Sequence, residues 1–104
     1  MSRGPDAATQ FERALLASAQ AADCAVAIIE ADLTRWASVT FNGMRHMLTL
    51  KGAASPALSR WIAALPEAEF ALRGHLVADL SVEAVRREGA EATVMLEVLT
   101  VEER

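Results

Sequence analysis

Two stretches of the chain carry apolar residues at the spacing of an α-helix. In the first, one face is built mainly from small side chains, and its members are Phe11, Ala14, Leu15, Ser18 and Ala22. Asp6 precedes this stretch and is a residue type that caps helix N-termini. We therefore expect a helix from Ala7 to about Ala22, with Asp23 as a break after it.

The second helical stretch begins with the pair Ser55-Pro56. Serine caps a helix N-terminus, and proline is tolerated at the first helical position because the N–H it lacks would have no partner there. An apolar stripe follows at helical spacing, formed by Leu58, Trp61, Ile62 and Leu65. Pro66 then ends the predicted helix.

Between the helices, Asn42-Gly43 separates two alternating runs, which is typical of a two-residue β-hairpin turn. The predicted cross-strand pairs are Phe41 with Met44, Val39 with His46, and Ala37 with Leu48. These residues and Leu50 then share one sheet face. The opposite face is predicted to carry Trp36, Ser38, Thr40, Arg45, Met47 and Thr49.

Residues 24–33 fit either an extension of the first helix or a strand. Alanine favours the helix, but Val26, Ile28 and Ile29 are β-branched, so we favour a strand from about Ala25 to Asp32.

After the second helix the pattern alternates again, with apolar positions at Phe70, Leu72, Leu76, Ala78, Leu80 and Val82. Gly74 lies inside this pattern and predicts a bulge. A turn over residues 88–91, with Gly89 as the residue of special backbone conformation, leads into a last strand over 92–101.

These elements predict a single α+β domain over residues 1–104, in the order αβββαββ, with 1–5 and 102–104 frayed. Consecutive strands joined by short turns are antiparallel, and the helices are expected mainly on one face of the sheet. We find no internal repeat and no motif that identifies a protein family.

Several predicted strands are apolar on both sides, so two helices would cover only one face of the sheet. Soluble monomers seldom expose a large apolar patch, and two-fold dimers are the commonest oligomers. The pattern therefore predicts a homodimer or another protein partner, with Trp36, Met47, Met95 and Leu99 at the interface. A strongly curled sheet, or one helix on each face, remains the alternative.

The composition narrows the class of protein. Hydrophobic residues make up 53 % of the chain and the formal net charge is -4, which argues against a disordered chain and against nucleic-acid binding. The longest apolar run, residues 24–29, is far short of the ~20 residues that span a bilayer. With a single cysteine and no signal-peptide pattern, we expect a cytoplasmic protein without membrane association.

The chain offers little catalytic chemistry. His46 and His75 are the only histidines, and no nucleotide-binding, metal-binding or nucleophile motif is present, so we expect no catalytic residue, metal or cofactor. Adjacent Arg45 and His46 point to opposite sheet faces and cannot act together. The sequence favours a non-enzymatic, homodimeric protein-interaction module. The alternative is a small-ligand-binding protein or cofactor-free enzyme with a helix–sheet pocket near His46 and His75.

Overall fold

The structure is a computed structural model that describes residues 6–103. The predicted frayed segment 1–5 and Arg104 lie outside the described residues. The elements in chain order are α1 (Ala7–Ala21), β1 (Val26–Ala37), β2 (Asn42–Ala53), α2 (Pro56–Ala64), a 3-10 turn (Leu65–Glu67), β3 (His75–Glu88) and β4 (Glu91–Glu102).

The four strands form one antiparallel sheet in the order β1-β2-β4-β3. The fold is therefore α+β, as predicted, but the order is αββαββ rather than αβββαββ. β2 and β4 are the central strands, and β1 and β3 are the edges.

Both ends of α1 follow the predicted local chemistry. The Asp6 carboxylate accepts a 2.8 Å hydrogen bond from the Thr9 N–H, and this bond holds the pKa of Asp6 below its ordinary value. At the other end Asp23 has a φ of +63°. The N–H groups of Asp23 and Cys24 donate back to the carbonyls of Gln20 and Ala19, which closes the last turn.

α2 also begins as predicted. The Ser55 hydroxyl accepts a 3.0 Å hydrogen bond from the Leu58 N–H, and Pro56 is the first helical residue. The indole N–H of Trp61 donates to the Ser18 hydroxyl at 2.9 Å, so a hydrogen bond from α2 to α1 ties the two helices together.

β1 corrects the expected number of strands. Residues 26–37 form one strand, which confirms strand rather than helix over most of 24–33 and merges the first two predicted strands. The register shifts between Ile28 and Glu30, so Ile29 is a bulge and its side chain is 54 % exposed.

The predicted turn at Asn42-Gly43 is wrong, because both residues lie inside β2. The turn is formed by residues 38–41, where the Ser38 N–H donates to the Phe41 carbonyl at 2.7 Å and the Phe41 N–H donates to the Ser38 hydroxyl at 3.1 Å.

The predicted cross-strand pairs are wrong as well, since Phe41 and Val39 lie in the turn and Ala37 lies opposite Asn42 rather than Leu48. The observed partner of Ala37 is six residues from the predicted partner, and six is an even number. Side chains alternate with a period of two, so Trp36 and the β2 residues keep their predicted faces.

β3 begins at His75 rather than near Phe70. Phe70 and Leu72 pack against the core from the preceding loop. Gly74 has a φ of +74° just before the strand and is not a bulge; the register instead shifts around Ala78 and around Glu83. Because of the first shift, Leu76 and Leu80 lie on opposite faces, although the alternating pattern had placed them together.

The turn of the second hairpin is as predicted, whereas the end of the chain is more ordered than predicted. Gly89 has a φ of +62° between β3 and β4. Glu102 is the last residue of β4, and the Glu103 N–H donates to the Gly74 carbonyl at 2.9 Å. The backbone is thus held through residue 103, rather than frayed from 102.

The hydrophobic core lies between the two helices and one side of the sheet, here called the inner face. The sheet contributes mainly Leu48, Leu50, Leu80, Val94, Leu96 and Val98, and the helices contribute Phe11, Leu15, Ala19, Leu58, Trp61 and Ile62. Both helices therefore cover the same face, as predicted.

The architecture has an approximate two-fold arrangement, although the sequence has no recognisable repeat. The units α1-β1-β2 and α2-β3-β4 each consist of a helix followed by a hairpin. They join through the antiparallel pair β2 and β4, where Leu48 lies directly opposite Leu96 near the middle of both strands.

Candidate functional site

The side of the sheet away from both helices, here called the outer face, is the main candidate site. The cross-strand pairs place the following residues on it: Trp36, Gly43, Arg45, Met47, Met95, Glu97, Leu99, Val101 and Leu76. The predicted interface residues Trp36, Met47, Met95 and Leu99 thus share one surface. Apart from Ala7, the buried residues of both helices belong to the inner-face core, so the helices pack on the other side of the sheet.

Apolar side chains on the outer face are accessible to solvent. Met47 is 38 % exposed, Met95 44 % and Leu76 52 %. Trp36, Leu99 and Val101 are half-buried by their neighbours in the sheet. The alternation of β2 and β4 predicted that Met47 and Met95 lie on this face. The position of Leu76 could not be predicted without knowledge of the bulge at Ala78.

Met47 and Met95 lie close to the centre of this surface. Met47 is opposite Glu97, and Met95 is opposite Thr49, so the two methionines occupy a diagonal position across β2 and β4. Diagonal side chains on one sheet face are about 7–8 Å apart and within reach of long side chains. The centre of the outer face therefore carries two long apolar side chains that can adapt their shape.

One ion pair crosses the same region. The Arg45 guanidinium lies 2.8 Å from a Glu97 carboxylate oxygen, with both side chains partly exposed. Because the charges of Arg45 and Glu97 neutralise each other, there is no strong local charge between the two methionines. Arg45 and His46 point to opposite faces, as predicted.

Trp36 packs against the glycine opposite it in the sheet. A Cβ atom at Gly43 would be 2.5 Å from Cζ2 of Trp36 and 2.6 Å from Cε2, closer than such atoms can approach. Gly43 is thus required by packing, whereas its sequence context had indicated a hairpin turn. The Trp36 Nε1 is buried without a hydrogen-bond partner among the described residues.

His46 is part of the core. Its side chain is 1 % exposed, its Nε2 is 2.9 Å from the Thr100 hydroxyl, and its ring centroid is 6.0 Å from that of Phe11. Burial lowers the pKa of His46, because the protein interior disfavours the charged imidazolium. The Asp6 charge opposes this effect, and His75 adds to it.

His75 occupies a different environment at one end of the sheet. It lines a cavity of about 500 Å³, here called the end cavity, together with Asp6, Arg35, Trp36, Met44 and Glu102. His46 is not among the lining residues. The structure therefore does not bring both histidines into one pocket. The end cavity itself was not anticipated, since its lining comes from the ends of five elements far apart in sequence.

The Cys24 thiol is hydrogen-bonded to the end of α1. The Cys24 thiol donates to the Ala19 carbonyl at 3.4 Å, and burial, followed by the nearby Asp23 charge, raises its pKa. Within residues 6–103, no group of three His, Cys, Asp or Glu side chains is placed to hold a metal ion. No helix in the same range is long and apolar enough to cross a membrane.

No protein-family model matches this chain, and no curated protein and no solved structure is significantly similar to it.

Proposed function

We propose that the protein is a non-enzymatic interaction module that forms a homodimer through the outer face, around Trp36, Met47, Met95 and Leu99. One observation carries the proposal. Both helices pack on the inner face, while the outer face presents exposed apolar side chains that no described helix covers. Burial of such a surface is the main driving force of protein association.

The outer face is large enough for a stable dimer. Four strands at about 4.8 Å spacing and about twelve residues per strand at a rise of about 3.3 Å give a face of roughly 750 Å². Stable specific interfaces bury about 800 Å² per partner. A second copy packed face to face would therefore cover most of the exposed apolar surface.

The side chains at the centre suit such an interface. Methionine and tryptophan are enriched at protein interfaces, and methionine adapts its shape to the opposing surface. With a two-fold axis near the centre, Met47 and Met95 of one copy would pack against the same residues of the other, which is the self-complementary contact of a two-fold dimer.

The charges of the outer face limit the affinity of this dimer. Sheet alternation places three basic residues on this face, Arg45, Lys51 and Arg86, and more acidic ones, Glu30, Asp32, Asp79, Glu88, Glu91 and Glu97. Two copies therefore repel each other electrostatically, and apolar contact has to exceed this repulsion. The Arg45–Glu97 pair neutralises one charge of each sign near the centre, whereas Asp32, opposite Met47, adds to the repulsion there.

A cytoplasmic location is part of the proposal. Cys24 is the only cysteine of the chain and forms no disulfide, which suits a reducing compartment.

Met95→Glu tests the interface, with Ala63→Glu as the matched control. Met95 lies at the centre of the outer face, whereas Ala63 is exposed on α2 on the opposite side of the molecule. Light scattering after size exclusion should show a dimer for the parent chain and for Ala63→Glu, and a monomer for Met95→Glu. Circular dichroism confirms that each variant is folded. A Met95→Glu variant that is folded and still dimeric would refute the outer face as the interface.

A further inference from the structure

The apolar residues of the outer face are concentrated toward one end of the sheet. The strand pairing sets one residue of each strand side by side, so the outer face consists of rows that run across the four strands. The first row, next to the turn at residues 38–41, is Trp36, Gly43, Val101 and Leu76. Phe41, 48 % exposed, lies in that turn. This end, here called the apolar end, therefore has no charged side chain in its first row.

The opposite end of the outer face, here called the charged end, lies beside the second turn at Gly89. Its last two rows carry the charged residues Lys51, Arg86, Glu88 and Glu91, and the other residues there are only alanine and threonine. The rows between the two ends mix apolar and charged side chains. The outer face is thus polarised along the direction of the strands.

Two kinds of two-fold axis can bring two such faces together. Sheets packed face to face keep their strand directions within about 30° of each other, so the axis lies either along the strands or across them. An axis along the strands puts the two apolar ends together, with β1 over the partner's β3 and β2 over the partner's β4. An axis across the strands puts each apolar end over the partner's charged end, with every strand over its own copy.

The axis along the strands brings no charged residue over another charged residue. Within each row, β1 then faces β3 of the partner and β2 faces β4. The facing pairs include Trp36 with the partner's Leu76, Arg45 with the partner's Leu99, and Asp79 with the partner's Thr34. Every charge of the outer face therefore meets an uncharged neighbour, and the apolar ends cover each other.

The axis across the strands gives a much poorer match. The facing pairs include Arg45 with the partner's Lys51, Asp32 with the partner's Glu30, Leu76 with the partner's Glu88, and Asp79 with the partner's Arg86. The first two pairs join like charges, and the third buries a carboxylate against leucine. Only the last pair joins opposite charges. Burying charges without opposite partners costs free energy, so this arrangement is disfavoured.

We propose that the two copies of the dimer are related by an axis along the strands, so that their apolar ends meet. Trp36 of each copy then packs on the partner's Leu76, which makes the first row part of the interface. Met47 and the partner's Met95 lie in neighbouring rows and keep their contact at the centre. This orientation rests on the proposed dimer and adds to it which surface of the partner each residue meets.

Spin labels in the two turns measure the orientation. Val39 in the first turn and Ala90 in the second are exposed, so a label at either position displaces no packed side chain. Each is replaced by cysteine in a Cys24→Ser background, since Cys24 is the only cysteine of the chain. With sheets about 10 Å apart, the axis along the strands gives label distances between copies of about 15–30 Å at both positions. An axis across the strands gives about 50 Å at both.

Double electron–electron resonance reads these distances in the dimer. Short distances at both positions are expected. Long distances at both positions would contradict the orientation while leaving the dimer in place. A short distance at Val39 with a long one at Ala90 would also contradict it, because only the apolar ends would then overlap. A monomer mass with no distance between copies would overturn both the dimer and its orientation.

A matched pair of charge variants tests the same orientation without labels. Thr34→Lys adds a cation that faces the partner's Asp79, whereas Ala27→Lys adds one that faces the partner's Arg86. Both positions are exposed and lie opposite a basic residue of β2 in their own chain. Two new ion pairs per dimer should lower the dissociation constant about threefold or more for Thr34→Lys, with no such fall for Ala27→Lys. Equal effects would contradict the orientation, because an axis across the strands sets these two positions over each other.

Discussion

Trp36 and Gly43 lie opposite each other at the end of the first hairpin, with the indole ring packed on the glycine backbone. This contact fixes the position of the largest side chain on the outer face. It also explains why a glycine stands inside a strand, where it otherwise weakens β structure.

Gly43→Ala should therefore destabilise the fold. The added methyl group would overlap the Trp36 ring and the Thr100 carbonyl, and overpacking of this kind costs about 1–3 kcal/mol. The free energy of unfolding from urea titration measures the loss. Thr34→Ala, at an exposed position on the same face of β1, is the control and should change it by less than about 0.5 kcal/mol. Equal effects of the two substitutions would show that the Trp36–Gly43 contact is not tight.

The buried His46 should make stability depend on pH. Burial lowers its pKa from the ordinary 6.5, so below that pH the unfolded chain binds a proton more readily than the folded chain. Stability is then fully present above about pH 6.5 and falls as the pH drops below that value toward the lowered pKa. Urea titrations at pH 7.5 and pH 5.5 measure this change.

His46→Gln is the control for this effect, since glutamine can still hydrogen-bond to Thr100 but does not titrate. The variant should be less stable than the parent at pH 7.5 but should lose little stability between the two pH values. Asp6, whose pKa is also lowered, does not interfere, because its contribution is lost only below about pH 4. A parent chain with the same stability at both pH values would contradict the burial of His46.

The hydrogen bond between Trp61 and Ser18 should contribute to the packing of α2 against α1. Ser18→Ala removes the acceptor of the Trp61 indole N–H and leaves a mostly buried donor unpaired, which costs about 1–3 kcal/mol. The same substitution in a Trp61→Phe background should cost much less, since no donor remains. Thermal or urea unfolding of the four proteins gives the coupling energy, and a coupling near zero would show that the bond is not formed in solution.

Salt should strengthen the proposed dimer. The outer face carries more acidic than basic residues, so two copies repel each other at low ionic strength. Raising the salt concentration from about 0.1 M to about 1 M shortens the screening length from about 10 Å to about 3 Å and removes most of this repulsion. The dimer dissociation constant should therefore fall, whereas an interface held by ion pairs would weaken.

The elements that follow from local chemistry were predictable from the sequence. Asp6 and Ser55 cap the helices, Asp23 ends α1, and Gly89 forms the second turn, because each interaction involves neighbours in the chain. The face of each β2 and β4 residue was also predictable, since alternation does not depend on the register of the partner strand.

The features that depend on distant parts of the chain were not predictable in this way. Asn42-Gly43 resembles a hairpin turn, but Gly43 is needed for contact with Trp36, and the turn lies at residues 38–41. Bulges at Ile29 and Ala78 leave no clear signal in the alternation. Phe70 and Leu72 alternate like strand residues, although they fill the core from a loop. The end cavity could not be predicted from any single segment either, because its lining residues come from five different elements.

Sedimentation equilibrium of the unmodified protein, at several micromolar concentrations, measures whether the chain forms the proposed dimer. Both helices cover the inner face of the sheet, and a second copy of the chain is proposed to cover the outer face. We expect a mass twice that of the chain, with dissociation on dilution. The mass of one chain at every concentration, together with no binding of a hydrophobic dye, would contradict it.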